Sequence, residues 1–260
     1  MGKLKYCYHT HTARCGHATG EDEEYVKKAI ELGIERLGFS DHIFLPDEIG
    51  QPGVRCSINE LDNYIASINH LRGKYEDFVD ISIGFEAEYN PQLLDLYRWL
   101  LKEKVQYLIM GQHCYLCDNK FLWYGVRDGD ISNVQLYVDH VLKGLETGLF
   151  KYLAHPDLFL LSYGEWNEEL ERESRRLLEG CEKLNIPLEV NVCGMRRRHY
   201  NEVNYSYPNI NFFKLASQYN LKFVIGIDAH DPSHFNQDDV NRAIDFANRA
   251  GIKIDWDYHL

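Results

Sequence analysis

Residues 4–12 read Leu4-Lys5-Tyr6-Cys7-Tyr8-His9-Thr10-His11-Thr12, a β-rich run that ends in two histidines. Side chains alternate between the two faces of a strand, so His9 and His11 point the same way and can bind one metal ion. Later β-rich runs end in the same manner, with His, Asp or Glu at or just beyond the last residue. The residues at the ends of the predicted strands are therefore the basis for predicting both the fold and the functional site.

Short β-rich runs alternate with longer stretches of helical period along the chain. Seven such units follow one another, and this sustained alternation predicts a parallel sheet whose economical form is a closed barrel. An open doubly wound sheet is the alternative, but neither a G-x-G-x-x-G turn nor a Walker loop follows any strand. The predicted strands cover residues 4–9, 36–41, 78–86, 106–113, 151–155, 186–192 and 222–228, with 252–255 as a further short one; the predicted helices cover 21–32, 57–72, 91–103, 133–147, 168–184, 210–219 and 238–250.

Composition narrows the classes of protein to consider. No linker-like segment divides the 260 residues, so we predict a single domain over 1–260. A formal net charge of −12 argues against nucleic-acid binding, which relies on clustered Lys and Arg. We recognise no signal peptide and no membrane span of roughly 18 apolar residues. The seven cysteines are an odd number, which predicts reduced thiols in a soluble cytoplasmic protein. A small molecule is the expected partner, rather than nucleic acid or membrane, and the oligomeric state stays open.

Candidate metal ligands collect at the carboxyl ends of the predicted strands. In a barrel these ends meet on one face, where catalytic residues gather. Seven of the twelve histidines stand there, and Asp228 and His230 repeat the same-face spacing of His9 and His11. A lone histidine after a strand is more often structural, but six strand ends in register favour a metal centre. The candidates are His9, His11, His17, Asp41 or His42, Glu86 or Glu88, His113, His155, Asp228 and His230.

This set of side chains predicts the type of metal and the reaction class. Imidazole and carboxylate together suit zinc, iron or manganese, and nine ligands exceed what one ion accepts, so we expect two or three divalent ions. Adjacent cations lower the pKa of a bridging water and neutralise charge on a phosphoryl group. Hydrolysis of a phosphate ester is therefore the favoured reaction.

The order of the motifs resembles the PHP (polymerase and histidinol phosphatase) superfamily. H-x-H-T, a further His, D-H, G-x-E, a His after the fourth strand, A-H-P and D-A-H follow in family order between Tyr8 and His230. The resemblance implies a distorted (β/α)7 barrel with a trinuclear centre. It also implies the ligand assignment, in which Glu88 is the alternative to Glu86: His9, His11 and Asp228 hold one ion, Glu86 bridges to a second that also takes His113 and His155, and His17, His42 and His230 hold the third.

Within the superfamily, residues 188–191, 194–197, 207–208 and 227–230 look like monofunctional histidinol-phosphate phosphatases. That similarity implies hydrolysis of L-histidinol phosphate to L-histidinol and phosphate in histidine biosynthesis. The expected mechanism is attack by a metal-bridged hydroxide without a phosphoenzyme, with Asp228, Glu86 and His230 as catalytic residues. Two alternatives remain: a PHP phosphoesterase for phosphotyrosine, sugar phosphates or nucleotides, and a metal-stabilised binding domain without turnover.

Expected substrate contacts lie in the loops of the same face. The basic triplet Arg196-Arg197-Arg198 follows strand six, and an arginine fork matches phosphate oxygens. Arg197 is the expected phosphate ligand, Arg196 is the alternative, and a solvated basic loop is the simpler interpretation. Residues 43–56 and 114–131 form loops longer than a barrel needs, which predicts a role in specificity. The other candidates for substrate contact are Trp123, His199 and His234, together with Tyr124 and Arg127 in the second loop.

Overall fold

Parallel strands form a ring in the computed structural model, which describes residues 3–118, 120–124, 130–161, 166–199 and 207–260. Four strands pair in chain order, and two later strands form a second parallel pair. The first group is β1 (Tyr6–Cys7), β2 (Arg36–His42), β3 (Asp80–Ala87) and β4 (Tyr107–Met110); the second pair is β7 (Leu188–Asn191) and β8 (Phe223–Gly226).

Single β-bridges join the two groups of strands on both sides. Leu153 pairs with Met110 on β4 and with Leu188 on β7, so the predicted fifth strand is reduced to one bridging residue. On the other side, Thr10 pairs with Ala229. Seven β positions therefore close into a distorted α/β barrel, as the sequence predicts. The short run predicted over residues 252–255 contributes one bridge, between Ile254 and Phe223.

Helices follow the strands and cover the sheet with their apolar faces. Asn90 accepts a hydrogen bond from the Gln92 amide and precedes Pro91, as expected for a helix start. The helix predicted over 133–147 begins two residues earlier, at Ile131, with Asp130 as its N-cap. The helices are α1 (Asp22–Leu32), α2 (Leu61–Lys74), α3 (Leu94–Glu103), α4 (Ile131–Glu146), α5 (Glu168–Leu184), α6 (Val192–His199), α7 (Ile210–Ala216) and α8 (Gln237–Ala250).

Three elements were not expected from the sequence. Strands β5 (Cys114–Cys117) and β6 (Lys120–Trp123) form an antiparallel hairpin inside the expected loop 114–131. Helix α6 begins directly after β7, where the sequence analysis placed a basic loop. Its start is explained by Asn191, whose side-chain oxygen accepts a hydrogen bond from the Gly194 amide, 2.9 Å away.

A single cluster of buried apolar side chains runs from Leu4 to Ile254. The buried Tyr107 hydroxyl donates to the Tyr8 carbonyl oxygen, 2.9 Å away, and thereby ties β4 to the end of β1. All seven cysteines are free thiols, as predicted. Among the described residues, each helix is too short or too polar to cross a lipid bilayer.

Candidate metal centre

The carboxylate of Glu86 lies at the centre of a group of imidazoles at the end of β3. The parallel register places His42 of β2 directly beside Glu86. Glu86 is 1 % exposed, so these contacts form away from water. Its Oε1 lies 2.8 Å from His155 Nε2, 3.5 Å from His9 Nε2 and 3.5 Å from His113 Nε2, and its Oε2 lies 3.0 Å from His42 Nδ1 and 3.6 Å from His11 Nε2.

Asp228 provides a second carboxylate just beyond the end of β8. Its Oδ1 lies 3.2 Å from His11 Nε2, 3.3 Å from His230 Nδ1 and 3.6 Å from His9 Nε2. Asp228 has a backbone φ of 50° and His155 one of 29°. Non-glycine residues in this region are strained and persist where the surrounding structure holds them, often at functional sites.

A third group of donors lies closer to solvent. The ligand atoms of His17, His42 and His230 all lie within 4.8 Å of one another, and His17 Nε2 is 3.2 Å from His230 Nε2. The structure therefore brings all nine residues of the sequence-derived ligand set into one continuous cluster.

Several buried donor atoms in this cluster have no hydrogen-bond partner: His9 Nε2, both ring nitrogens of His11, Glu86 Oε2 and Asp228 Oδ1. An unpaired buried polar group is costly. Neutral imidazole nitrogens and carboxylate oxygens are lone-pair donors that one class of ligand, a divalent cation, satisfies together. The donor set therefore fits transition-metal ions.

The pKa values of these groups favour ligand chemistry at the two carboxylates. Burial by itself would raise the pKa of Glu86, but His113, His9 and other nearby imidazoles hold it well below its ordinary value. The pKa of Asp228 is likewise lowered against the effect of burial, chiefly by His9 and His11. Both carboxylates are therefore ionised at neutral pH.

A supporting layer orients the candidate ligands. His9 Nδ1 lies 2.8 Å from Glu189 Oε2, which leaves His9 Nε2 directed at the cluster. Asn191 Nδ2 donates to Glu189 Oε1 at 2.7 Å and to Asp228 Oδ2 at 3.1 Å. Glu189 and Asn191 are absent from our sequence-derived site, although they show the same-face spacing of His9 and His11 and could have been found by it.

Two glycines give the buried carboxylates room. A Cβ atom at Gly111 would lie 1.9 Å from Glu86 Oε1, and one at Gly226 would lie 2.0 Å from Glu189 Oε2. Both distances are far inside van der Waals contact. Glycine is therefore required at these positions by the close approach of a carboxylate to the neighbouring strand.

A cavity of about 300 Å³ opens above the cluster. Its wall includes Arg197, on α6, and Trp123, on β6, both expected from the sequence to contact substrate. Trp123 is 43 % exposed and therefore lies at the rim. Leu158 and Leu161 add apolar side chains to its wall.

Arg196 takes a different position from its neighbour Arg197. Its buried guanidinium donates to the carbonyl oxygens of Ile227 and Asp228, both at 3.0 Å, and to Asp239 Oδ2 at 3.1 Å. These contacts hold the backbone of the Asp228 turn. We therefore correct the expected substrate contact of Arg196 to a structural role in positioning Asp228.

The remaining candidates are placed as follows. His234 Nδ1 accepts a hydrogen bond from the His230 amide at 3.1 Å, so this ring supports the loop that carries His230. Tyr124 is buried, and its hydroxyl bonds to His140 Nδ1. The side chain of His199 and the whole of Arg127 lie outside the described residues.

Glu88 and Arg55 form a buried ion pair beside the cluster. Glu88 Oε1 also lies 3.0 Å from His113 Nδ1, so Glu88 supports a candidate ligand while Glu86 occupies the centre. Arg55 lines the cavity and was missed by sequence analysis. A single arginine in a long loop carries no pattern that would reveal it.

Comparison with known proteins identifies relatives of this chain. A "Probable histidinol-phosphatase" of Deinococcus radiodurans is 28% identical over 86% of this chain and 85% of its own length. A protein of the same name from Schizosaccharomyces pombe is 24% identical over 86% of this chain and 80% of its own length. The crystal structure of a histidinol phosphate phosphatase from Lactococcus lactis, complexed with zinc, L-histidinol and phosphate, superimposes with a TM-score of 0.73 at 17% identity, over 96% of this chain and 95% of the other.

The sequence pattern of the PHP domain matches residues 8–192. This match covers more than half of the chain and includes β2 to β4, β7 and seven of the nine clustered residues. The chain therefore belongs to the PHP domain family.

Proposed function

We propose that this protein hydrolyses L-histidinol phosphate to L-histidinol and inorganic phosphate, a step of histidine biosynthesis. The observation that carries the proposal is the cluster around Glu86 and Asp228 beneath a cavity with an arginine in its wall, in a chain similar over most of its length to histidinol-phosphatases. Its partner is thus a small phosphomonoester. We place the reaction in the cytoplasm, where free thiols such as those of this chain are maintained.

The metal sites in this proposal follow the three groups of donors. His9, His11 and Asp228 would hold one ion, Glu86 would bridge to a second that also takes His113 and His155, and His17, His42 and His230 would hold a third. Zinc, manganese and iron suit these ligands, and two or three ions are expected. Such ions, when bound, neutralise phosphoryl charge and make water a better nucleophile near neutral pH.

Different residues of the chain are proposed to bind the phosphoryl group, to orient the metal ligands and to transfer protons. Arg197 offers a planar guanidinium to phosphoryl oxygens. Glu189 fixes the ring of His9 through Nδ1, and Glu86 stays ionised among its imidazoles. Burial, followed by the nearby His11, lowers the pKa of His230 to about 4, so its ring is neutral at pH 7 and offers a lone pair to a cation. Asp228 is ionised and its Oδ1 lies 3.3 Å from His230 Nδ1, so these two residues are the ones we propose for proton transfer.

Phosphate release from L-histidinol phosphate, phosphotyrosine, sugar phosphates and nucleotides tests the proposal. Wild type loaded with manganese or zinc is compared with His9→Ala under the same conditions. We expect a strong preference for L-histidinol phosphate that is lost in the variant. Preference for another ester would reject the substrate, and metal-loaded protein inactive on every phosphomonoester would reject the catalytic function.

A further inference from the structure

Arg55 is a second arginine in the wall of the cavity above the candidate metal centre. It lies in the connection between β2 and α2 and is only 4 % exposed. Its Nε donates to Gln51 Oε1 at 2.8 Å, and its Nη2 donates to Glu88. The guanidinium carbon also lies 5.7 Å from the centre of the Phe121 ring, within the range of a cation–π contact.

The remaining nitrogen of this guanidinium, Nη1, is buried and has no hydrogen-bond partner. A buried charged donor without an acceptor costs more than a neutral one, so such an atom is expected to be paired in the working state. Because Arg55 lines the cavity, an occupant of the cavity can supply the acceptor. A cationic donor calls for an anion or another strong acceptor.

The ion pair with Glu88 does not account for the whole side chain. Glu88 Oε1 is shared between Arg55 and His113 Nδ1, and this contact uses Arg55 Nη2. A purely structural arginine would be explained by the contacts of Nε and Nη2 alone. Nη1 is left as the donor of this guanidinium that an occupant of the cavity can pair.

The proposed substrate has one anionic part. The L-histidinol part carries an amine and an imidazole but no negative charge, whereas the phosphoryl group carries anionic terminal oxygens that match a guanidinium. A monoester has three such oxygens, enough to contact bound ions and two arginines together. A diester has two and would leave one donor unpaired.

We propose that Arg55 is a second anion-binding residue of this cavity, and that its Nη1 hydrogen-bonds a phosphoryl oxygen of the substrate and of inorganic phosphate after hydrolysis. This inference rests on the proposed function for the identity of the ester, but not for the binding of phosphate itself. Arg55 and Arg197 then select together for a terminal phosphoryl group.

Calorimetric titration of metal-loaded protein with inorganic phosphate tests this directly. Arg55→Met is expected to raise the Kd for phosphate about 10- to 100-fold, the loss typical of one charge-assisted hydrogen bond. Arg55→Lys keeps the charge but not the fork, so an intermediate Kd is expected. Arg98→Met is the matched control, because Arg98 is 57% exposed and pairs with Asp95 on the surface of α3, and its Kd should equal that of wild type.

Metal content separates direct binding from an indirect effect through Glu88 and His113. If Arg55 binds phosphate, Arg55→Met keeps its metal and loses affinity for phosphate. If Arg55 only positions Glu88, the variant loses metal as Glu88→Gln does, and its affinity for phosphate falls only in proportion to the metal that is lost. That second pattern, or an unchanged Kd in both Arg55 variants, overturns the inference; if Arg55→Met does not fold, Arg55→Lys decides by the same criteria.

The substrate panel keeps this inference separate from the proposed function. Wild type that prefers another phosphomonoester, with weaker phosphate binding in Arg55→Met, would reject the substrate and support the role of Arg55. Wild type that prefers L-histidinol phosphate, with an unchanged Kd in both Arg55 variants, would support the proposed substrate and reject the role of Arg55.

Discussion

The floor and the rim of the cavity are built in different ways. The floor, defined as His9, His11, Glu86, His155 and Asp228, is almost wholly buried and is formed at strand ends. The rim, defined as His17, Trp123 and Arg197, comes from loops, a hairpin and a helix, and is partly exposed. The floor has a supporting layer of Glu189, Asn191 and Asp41 behind it. The difference indicates that substitutions in the floor act on metal binding and that substitutions at the rim act on substrate.

The largest effect is expected for Glu86→Gln. Glutamine keeps the size of the side chain but removes the charge that five imidazoles surround, so we expect loss of metal and a kcat reduced about a thousandfold or more. Metal analysis and steady-state kinetics measure both. Glu88→Gln, one residue beyond the end of β3, should lose less, and equal losses in the two variants would show that Glu86 is not the centre of the floor.

A smaller but still severe effect is expected for Gly111→Ala. The added Cβ would lie 1.9 Å from Glu86 Oε1 and must displace the carboxylate, and a shift of about 1 Å at a reacting site can cost about 100-fold in rate. The matched control is Gly73→Ala in α2, where no atom lies within 4 Å of the new Cβ. The control should keep full activity and gain roughly 0.5 kcal/mol of stability in urea unfolding. Full activity in Gly111→Ala would contradict the close packing of Gly111 against the Glu86 carboxylate.

The supporting layer is tested by Glu189→Gln. Because Glu189 orients His9 without joining the cluster itself, metal affinity or activity should fall about 10- to 100-fold, less than for Glu86→Gln. Glu179→Gln, on the exposed face of α5, is the control and should behave as wild type. A loss in Glu189→Gln as large as that of Glu86→Gln would erase the distinction between floor and supporting layer.

The smallest effect is expected at the rim, for Trp123→Ala. Loss of an aromatic contact with substrate should raise KM about two- to tenfold and leave kcat and metal content near wild type. Trp99→Ala is the control, since Trp99 is 41 % exposed on α3, close to the 43 % of Trp123. Unchanged kinetics in Trp123→Ala would show that Trp123 does not contact substrate. A loss of metal would show that it supports the metal site as the floor residues do.

Sequence reasoning works best for the floor because side chains on a strand return to the same face every two residues. That rule groups His9 with His11 and Asp228 with His230, although the structure places both pairs just beyond the ends of β1 and β8. The same rule applies to Glu189 and Asn191, but these side chains were not recognised because an acid and an amide on a buried strand have several common roles. Arg196 and Arg197 are adjacent in the sequence but have different surroundings in the structure. Helix α6, which begins at Val192, determines that Arg196 is buried behind Asp228 and that Arg197 lines the cavity.

The order of strand, helix and polar strand end is written in the local sequence, because hydrophobic period and side-chain alternation are local properties of the chain. That order was enough to predict the barrel, the group of nine candidate ligands and the reaction class. Contacts between distant segments depend on packing and are not encoded in any short pattern. Only the tertiary structure shows that Glu86 rather than Glu88 contacts five imidazoles, that Glu189 orients His9, that Gly111 leaves room for the Glu86 carboxylate, and that Arg55 from a distant loop lines the cavity.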